Sequence, residues 1–444
     1  MEITPLEAWI QRKIGCSRLT REIINSYQLY RLNETLDLVR NRSAFYRRKF
    51  AHLPGAGLSR LEDIRHLPFT SAADIKENPL RFLCVSQSEI RRVVSLTSSG
   101  TTGGGKRVFF TAGDQELTVD FFHHGMSVLV EPGDRVLIML PGTRPGSVGD
   151  LLLKALNRLG AVGILHGPLG DVRETIKIMN QERVDSLVGI PVQALALARC
   201  SEHAGAYRLK SVLLSTDYVP AAVVRELQRI WGCKVFNHYG MTEMGLGGGV
   251  ECRALAGYHM READLYVEII NPRTGEPVPQ GEMGEVVFTT LTRVGMPLIR
   301  YRTGDLSRFI PERCPCGSVL RRMDTVKGRL AGVIELAPGR ELIMSQLDEA
   351  LFAVDGMLDF NAFITAKGGT NILHIEAKFL AGWEEKGRNS INNALANIPQ
   401  VQQAVAEGIL QLAPAAFSTA EWSNTGTAKR IIRDLRGRGC ERNI

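Results

Sequence analysis

The sequence predicts an α/β protein with a large N-terminal domain of several sheets, residues 1–327, followed by a small α+β domain, residues 328–444. Three observations lead there. Between about residues 90 and 240, short apolar runs such as RVLIML, AVGIL and SLVGI alternate with helical stretches such as DLLLKALNRL and VRELQRIW. That is the rhythm of a mostly parallel sheet covered by helices. Strand-like runs follow, DLYVEII and EVVFTTL, on either side of the turn-rich NPRTGEPVPQGEMG. Beyond Gly328 the pattern changes again, to short strands and helices of a separate unit.

Each element has its own signal. Residues 5–50 read as amphipathic helices ending in the aromatic and basic stretch AFYRRKF. After the alternating region and the two strand-like runs, NAFITAK and TNILHIEAKF flank Gly368-Gly369 as a hairpin. ALANI and IIRDLR then read as helical ends. No internal repeat or low-complexity tract interrupts this order.

Composition narrows the function. A chain of 444 residues exceeds the usual size of one hydrophobic core. Its 44% hydrophobic and 23% charged residues are those of an ordinary globular protein. The net charge of +7 suits an anionic small molecule, and no basic cluster interleaved with aromatics points to nucleic acid. MEITPLEAWIQRKIG lacks the apolar run of a signal peptide, and no run of about 18 apolar residues signals a membrane span. A cytoplasmic protein is expected. Eight unevenly spread cysteines suggest reduced thiols or metal ligands rather than a disulfide framework. A dimer is compatible with the sequence, which carries no signal that fixes an assembly.

The stretch SLTSSGTTGGGKRVFF, Ser95 to Phe110, is the first candidate site. Gly100 to Lys106 satisfies G-x-x-x-x-G-K, but Arg107 stands where a P-loop needs Ser or Thr for Mg²⁺. A Ser/Thr/Gly loop after a strand can still wrap phosphates with N–H groups and hydroxyls. Its glycines allow close approach, and Lys106 supplies charge. NHYGMTE (Asn237 to Glu243), YRTGD (Tyr301 to Asp305), KGR (Lys327 to Arg329) and GTAKRIIR follow in order.

With AFYRRKF, LPFTSAADIKENPL, SSGTTG and GEVVFTTLTRVGMPLIRYRTGDL, these motifs make the chain resemble the adenylate-forming superfamily of acyl-CoA synthetases, adenylation domains and luciferases. The resemblance is strongest to the phenylacetate–CoA ligase branch. It implies a mobile C-terminal domain and a two-step reaction: a carboxylic acid and ATP give acyl-AMP and pyrophosphate, then a thiol, usually of coenzyme A, displaces AMP. It implies that Ser99, Thr101, Thr102 and Lys106 hold the β- and γ-phosphates, with Gly100 and Gly103 shaping the loop. Tyr239, next to Gly240, would stack on adenine, Thr242 would bond the α-phosphate and Glu243 would hold Mg²⁺. Asp305 would accept from the ribose hydroxyls, helped by Arg329, and Lys429 would be a mobile cation of the adenylation step.

The stretch after Gly328-Arg329, LAGVIELAPGREL, departs from the family, with Ala331 where a hinge charge is expected. This leaves coenzyme A, a carrier-protein thiol or another acceptor open for the second step. A nucleotide-binding regulator without ligase activity is the alternative of another class, and the joint presence of Lys106, Glu243, Asp305 and Lys429 argues against it. The resemblance suggests an aryl or arylacetic acid as the small-molecule substrate. Between the motifs, Cys252 and His259 with the C-x-C pair Cys314 and Cys316 make a Cys₃His set, which suits structural tetrahedral Zn²⁺ with no open position.

Overall fold

The computed structural model describes residues 4–53, 55, 57–96, 105–202, 207–418, 422 and 429–436. They fall into two compact units, one of Met1–Leu165 with Phe236–Val326, the other of His166–Val235 with Lys327–Ile444.

The first unit opens with helices Pro5–Ile14, Arg21–Arg42 and Ala44–Lys49, as the amphipathic pattern predicts. The first starts where Thr4 Oγ1 accepts from Glu7 N and stops at Gly15, whose φ of 78° suits a residue without Cβ. Strands Ile90–Leu96 and Lys106–Thr111 pair antiparallel, with Leu96 opposite Lys106, so they bring the two ends of the Ser/Thr/Gly loop together. Thr111 and Asp114 then cap helix Ala112–Met126 reciprocally. Strands Arg135–Ile138 and Val162–Leu165 are parallel and joined through helix Val148–Leu159, a βαβ unit.

Later in the same unit the pairing turns antiparallel. Leu265–Ile270, Gly284–Thr290 and Tyr301–Ser307 form one meander. Gly249–Glu251, Tyr258–Met260, Arg322–Met323 and Phe309–Ile310 pair successively in another sheet. The core beneath is continuous: Tyr46, Phe82, Val108, Phe109, Phe288 and Tyr301 belong to one buried cluster.

In the second unit, strands Ser186–Gly189 and Ser211–Leu214 run parallel and helices Pro191–Ser201 and Ala221–Trp231 pack together. Strands Met357–Lys367 and Thr370–Phe379 make the expected hairpin, turning on Gly368 and Gly369 at φ 60° and 84°, the backbone that a two-residue turn of this kind requires. IIRDLR departs from its helical expectation: Ile432–Asp434 is a strand, parallel to Met357–Lys367 with Ile432 opposite Ala362. The buried Ile432 and the anchored Arg430 before it hold an extended backbone that local helix preference does not override. Among the described residues no helix is long and apolar enough to cross a membrane.

Candidate functional site

Lys106 opens the strand that leaves the Ser/Thr/Gly loop, and Val108, Phe109 and Phe110 root that strand in the core. Ser99, Gly100, Thr101, Thr102 and Gly103 lie outside the described residues. The turn after Tyr239 supplies the next groups. A Cβ on Gly240 would stand 2.0 Å from the Leu246 carbonyl oxygen, so the close turn needs glycine. A single 3₁₀ turn, Thr242–Met244, follows and ends at Gly245 with φ 79°. Thr242 stays half-exposed on it and Glu243 is buried.

The ammonium of Lys106 meets the Glu243 carboxylate directly. Lys106 also donates to the Tyr301 hydroxyl at 3.0 Å, and that hydroxyl donates to Glu243 Oε1 at 3.1 Å. Burial alone would raise the Glu243 carboxyl, but Lys106, with the Tyr301 hydroxyl, outweighs it and holds the group below the usual range. The acid is therefore an anionic oxygen ligand at neutral pH. A hard cation such as Mg²⁺ fits this carboxylate, and a polyphosphate fits the lysine beside it.

Tyr239 and Asp305 form the second contact of the site, with the phenol donating to Asp305 Oδ2 at 2.9 Å. The YRTGD stretch explains how Asp305 arrives there. Strand pairing slips between Glu285 opposite Leu306 and Val287 opposite Arg302. Gly304 takes φ 73° in the resulting bulge, and Thr303 Oγ1 accepts from Asp305 N at 3.0 Å. A bulge of this kind re-aims one side chain relative to its strand.

Two residues that the motifs did not single out complete this arrangement. Tyr301 opens the YRTGD motif, and its hydroxyl bridges Lys106 and Glu243. Arg293 is 6% exposed, and donates to the Glu243 carbonyl at 2.9 Å and to the Phe109 carbonyl at 2.7 Å. It thereby ties the Glu243 turn to the Lys106 strand. Asp114 anchors the turn that carries Arg293 by accepting from Val294 N and Gly295 N at 3.0 and 3.2 Å. A charged residue in the otherwise apolar LTRVGMPLI was the available signal.

Arg329 and Lys429 belong to the second unit. Arg329 is half-buried in the short strand Gly328–Arg329, and Lys429 is exposed beside the half-buried Arg430. The Lys429 charge lies close enough to Asp217 to favour its ionised form.

Cys252, His259, Cys314 and Cys316 converge in the first unit, their ligand atoms all within 4.8 Å of one another. Cys252 Sγ is 3.6 Å from Cys314 Sγ, and Cys316 Sγ is 3.4 Å from His259 Nε2. A tetrahedron with Zn–S near 2.3 Å would space its sulfurs about 3.8 Å apart, so the donor set has the right size. His259 sits mid-strand, paired with Val250 on one side and Arg322 on the other. The CPCG knuckle closes through Gly317 N to the Cys314 carbonyl at 2.9 Å. Burial pushes the Cys252 thiol up to about 12 and the His259 imidazole down to about 4. The histidine thus keeps a lone pair for a metal at neutral pH.

The profile of the AMP-binding enzyme family matches residues 87–292. Phenylacetate–coenzyme A ligase from Thermus thermophilus is 29% identical over 373 residues, spanning 79% of this chain and 80% of the relative. The ligase of the same name from Aromatoleum evansii is 30% identical over 304 residues, spanning 66% and 67%. Among solved structures, 2-hydroxyisobutyryl-CoA ligase in the postadenylation state shares the fold at TM-score 0.80 and 22% identity, over 94% of this chain and 90% of that one.

Proposed function

The chain belongs to the adenylate-forming superfamily of AMP-binding enzymes, in its phenylacetate–CoA ligase branch, and from that premise we propose which residues carry its reaction and on what class of acid. It is an AMP-forming acid–CoA ligase. A carboxylate attacks the α-phosphate of ATP, pyrophosphate leaves, and the thiol of coenzyme A displaces AMP from the acyl-adenylate. In-line attack on a polyanion depends on neutralising charge and aligning the attacker.

The observation that supports the residue roles is the meeting of Lys106, Glu243 and Tyr301. In this reading Lys106, with Ser99, Thr101 and Thr102 on the loop shaped by Gly100 and Gly103, binds the β- and γ-phosphates. Glu243 holds Mg²⁺, which when bound draws charge from the polyphosphate. Gly240 leaves room for adenine against Tyr239, and Thr242 bonds the α-phosphate. Asp305 takes the ribose hydroxyls with help from Arg329, and Lys429 serves as the mobile cation of adenylation on a small domain, residues 328–444, that turns between half-reactions. Zn²⁺ on the Cys₃His set is structural, because four protein ligands leave no position for substrate.

The substrate class is an aryl or arylacetic acid. The relatives named phenylacetate–coenzyme A ligase support this, as does the feruloyl-CoA synthase of Amycolatopsis, 31% identical over 200 residues. The reaction is assigned to the cytoplasm, where ATP and coenzyme A are both supplied. Pyrophosphate release across a panel of aryl, arylacetic and aliphatic acids tests the class, and an aliphatic optimum would overturn it. Adding coenzyme A to preformed acyl-AMP should yield the thioester in equal amount. Persistence of the adenylate would point instead to a carrier-protein thiol or another acceptor.

A further inference from the structure

We propose that Tyr301 is a positioning residue that makes triphosphate and divalent metal bind as a pair: its hydroxyl locks Lys106 and Glu243 to each other until both ligands arrive. The inference rests on the reading of Lys106 as a phosphate ligand and Glu243 as a metal ligand. All three residues belong to the first unit, and their chemistry is reciprocal.

The Glu243 side chain is 4% exposed and that of Lys106 18%, so neither charge is solvated well enough to stand alone. Metal drawn to Glu243 without nucleotide would strand the Lys106 ammonium beside a second cation. Triphosphate drawn to Lys106 without metal would strand the Glu243 carboxylate beside an anion. Only the two ligands together replace what each residue loses.

The phenol suits the pivot. It has one proton to donate and lone pairs to accept with, and it uses both here, toward Glu243 Oε1 and from Lys106 Nζ. When the pair separates, the same hydroxyl can keep its bond to each partner. The ring cannot drift. Tyr301 is 2% exposed and lies opposite Phe288, whose ring centroid is 5.4 Å from its own. The flanking backbone is pinned by Thr70, which donates to the Arg300 carbonyl at 3.0 Å and accepts from Arg302 N at 2.9 Å.

Calorimetric titration of ATP in EDTA and in saturating Mg²⁺ tests this without turnover. Three results are expected. Glu243→Gln releases Lys106, so ATP in EDTA should bind at least tenfold more tightly than to the natural protein. That gain should vanish in a Lys106→Gln background, which separates it from simple removal of a repelling carboxylate. Tyr301→Phe should lower the Mg²⁺-dependent gain in ATP affinity at least fivefold, with the melting temperature within a few degrees of the natural protein. Equal gains for Tyr301→Phe and the natural protein would overturn the proposal, as would unchanged EDTA binding by Glu243→Gln. A natural protein that exchanges ATP and pyrophosphate with acid while its variants behave alike refutes only the lock. Failure to bind MgATP at all refutes the assignment of the site as well.

Discussion

The Tyr239 hydroxyl donates to Asp305 Oδ2 at 2.9 Å, so the residue proposed to face adenine also steadies the residue proposed to hold the ribose. Both are buried, Tyr239 at 6% and Asp305 at 0% exposure. Tyr239→Phe keeps the ring and removes a donor from a buried acid, a change that costs about 1–3 kcal/mol. The KM for ATP should rise several-fold with kcat less affected, because the contact serves nucleotide binding before any bond changes. Steady-state kinetics and a melting curve decide it: an unaltered KM with an unaltered melting temperature would remove Tyr239 from the site.

Arg293 should matter although the motif that contains it, GEVVFTTLTRVGMPLIRYRTGDL, assigns it no role. Its buried guanidinium binds the carbonyls of Glu243 and Phe109, while its charge lies 4.4 Å from the Phe110 ring centre. Arg293→Met leaves two buried carbonyls without their charged donor, at about 1–3 kcal/mol each before relaxation. The expected result is a lower melting temperature and an adenylation rate reduced at least tenfold, since the Glu243 turn and the Lys106 strand lose their common tie. Arg293→Lys should recover stability only in part, because one ammonium cannot reproduce the planar fork. Full activity in the lysine variant would show that charge alone suffices.

What the sequence made legible was chemistry with a fixed local spacing. Gly240 and Gly304 mark the turn and the bulge that aim Glu243 and Asp305, and glycines at such backbones leave a readable trace. Gly368-Gly369 gave the hairpin for the same reason. Tyr301 and Arg293 were not singled out because their roles depend on residues more than forty positions away, as the Arg293 to Glu243 bond does across a separation of 50. Nothing in YRTGD says that its tyrosine faces a lysine at position 106. IIRDLR was misread because its strand forms by pairing with Met357–Lys367, a long-range partner that a local helical pattern cannot reveal.

Protein purified without added zinc should contain close to one equivalent of the metal. Cys252 and Cys314, with sulfurs 3.6 Å apart, join segments separated by 62 residues, so the metal closes a long loop and restricts the unfolded chain. Cys314→Ser should lower both zinc content and melting temperature, and activity should fall only where the protein unfolds. A strong chelator should act like the mutation. Metal-free protein of undiminished stability would reduce the four side chains to a cluster of buried donors.

The stability of the second unit should depend on pH through a cluster of acids around Arg430. Arg430 Nε donates to Asp348 Oδ1 at 3.0 Å, another guanidinium nitrogen contacts Asp359, and Arg430 N donates to Asp217 Oδ2 at 3.0 Å. One guanidinium thus serves two buried acids, and the backbone N–H of the same residue serves the half-buried Asp217. Burial pushes Asp348 up to about 7 despite Arg430, with the Asp217 and Asp359 charges adding to the rise. Burial also raises Asp217, against the pull of Arg430 and Lys429. In the unfolded chain Asp348 titrates near 4. Between about pH 4 and 7 the folded protein therefore keeps a proton that the unfolded chain has released, and the unfolding free energy falls as pH rises through that window. Below it the stabilising contribution is complete; above it the loss is complete and the curve is flat in this term. Urea titrations from pH 5 to 8 should show this slope in the natural protein and a shallower one in Asp348→Asn, whose amide cannot ionise. Arg430→Met, which leaves Asp348 and Asp359 without their bonded cation, should destabilise by about 3–5 kcal/mol at pH 8 and less at pH 5. Parallel slopes for the natural protein and Asp348→Asn would mean that Asp348 is ionised throughout and that Arg430 compensates its burial in full.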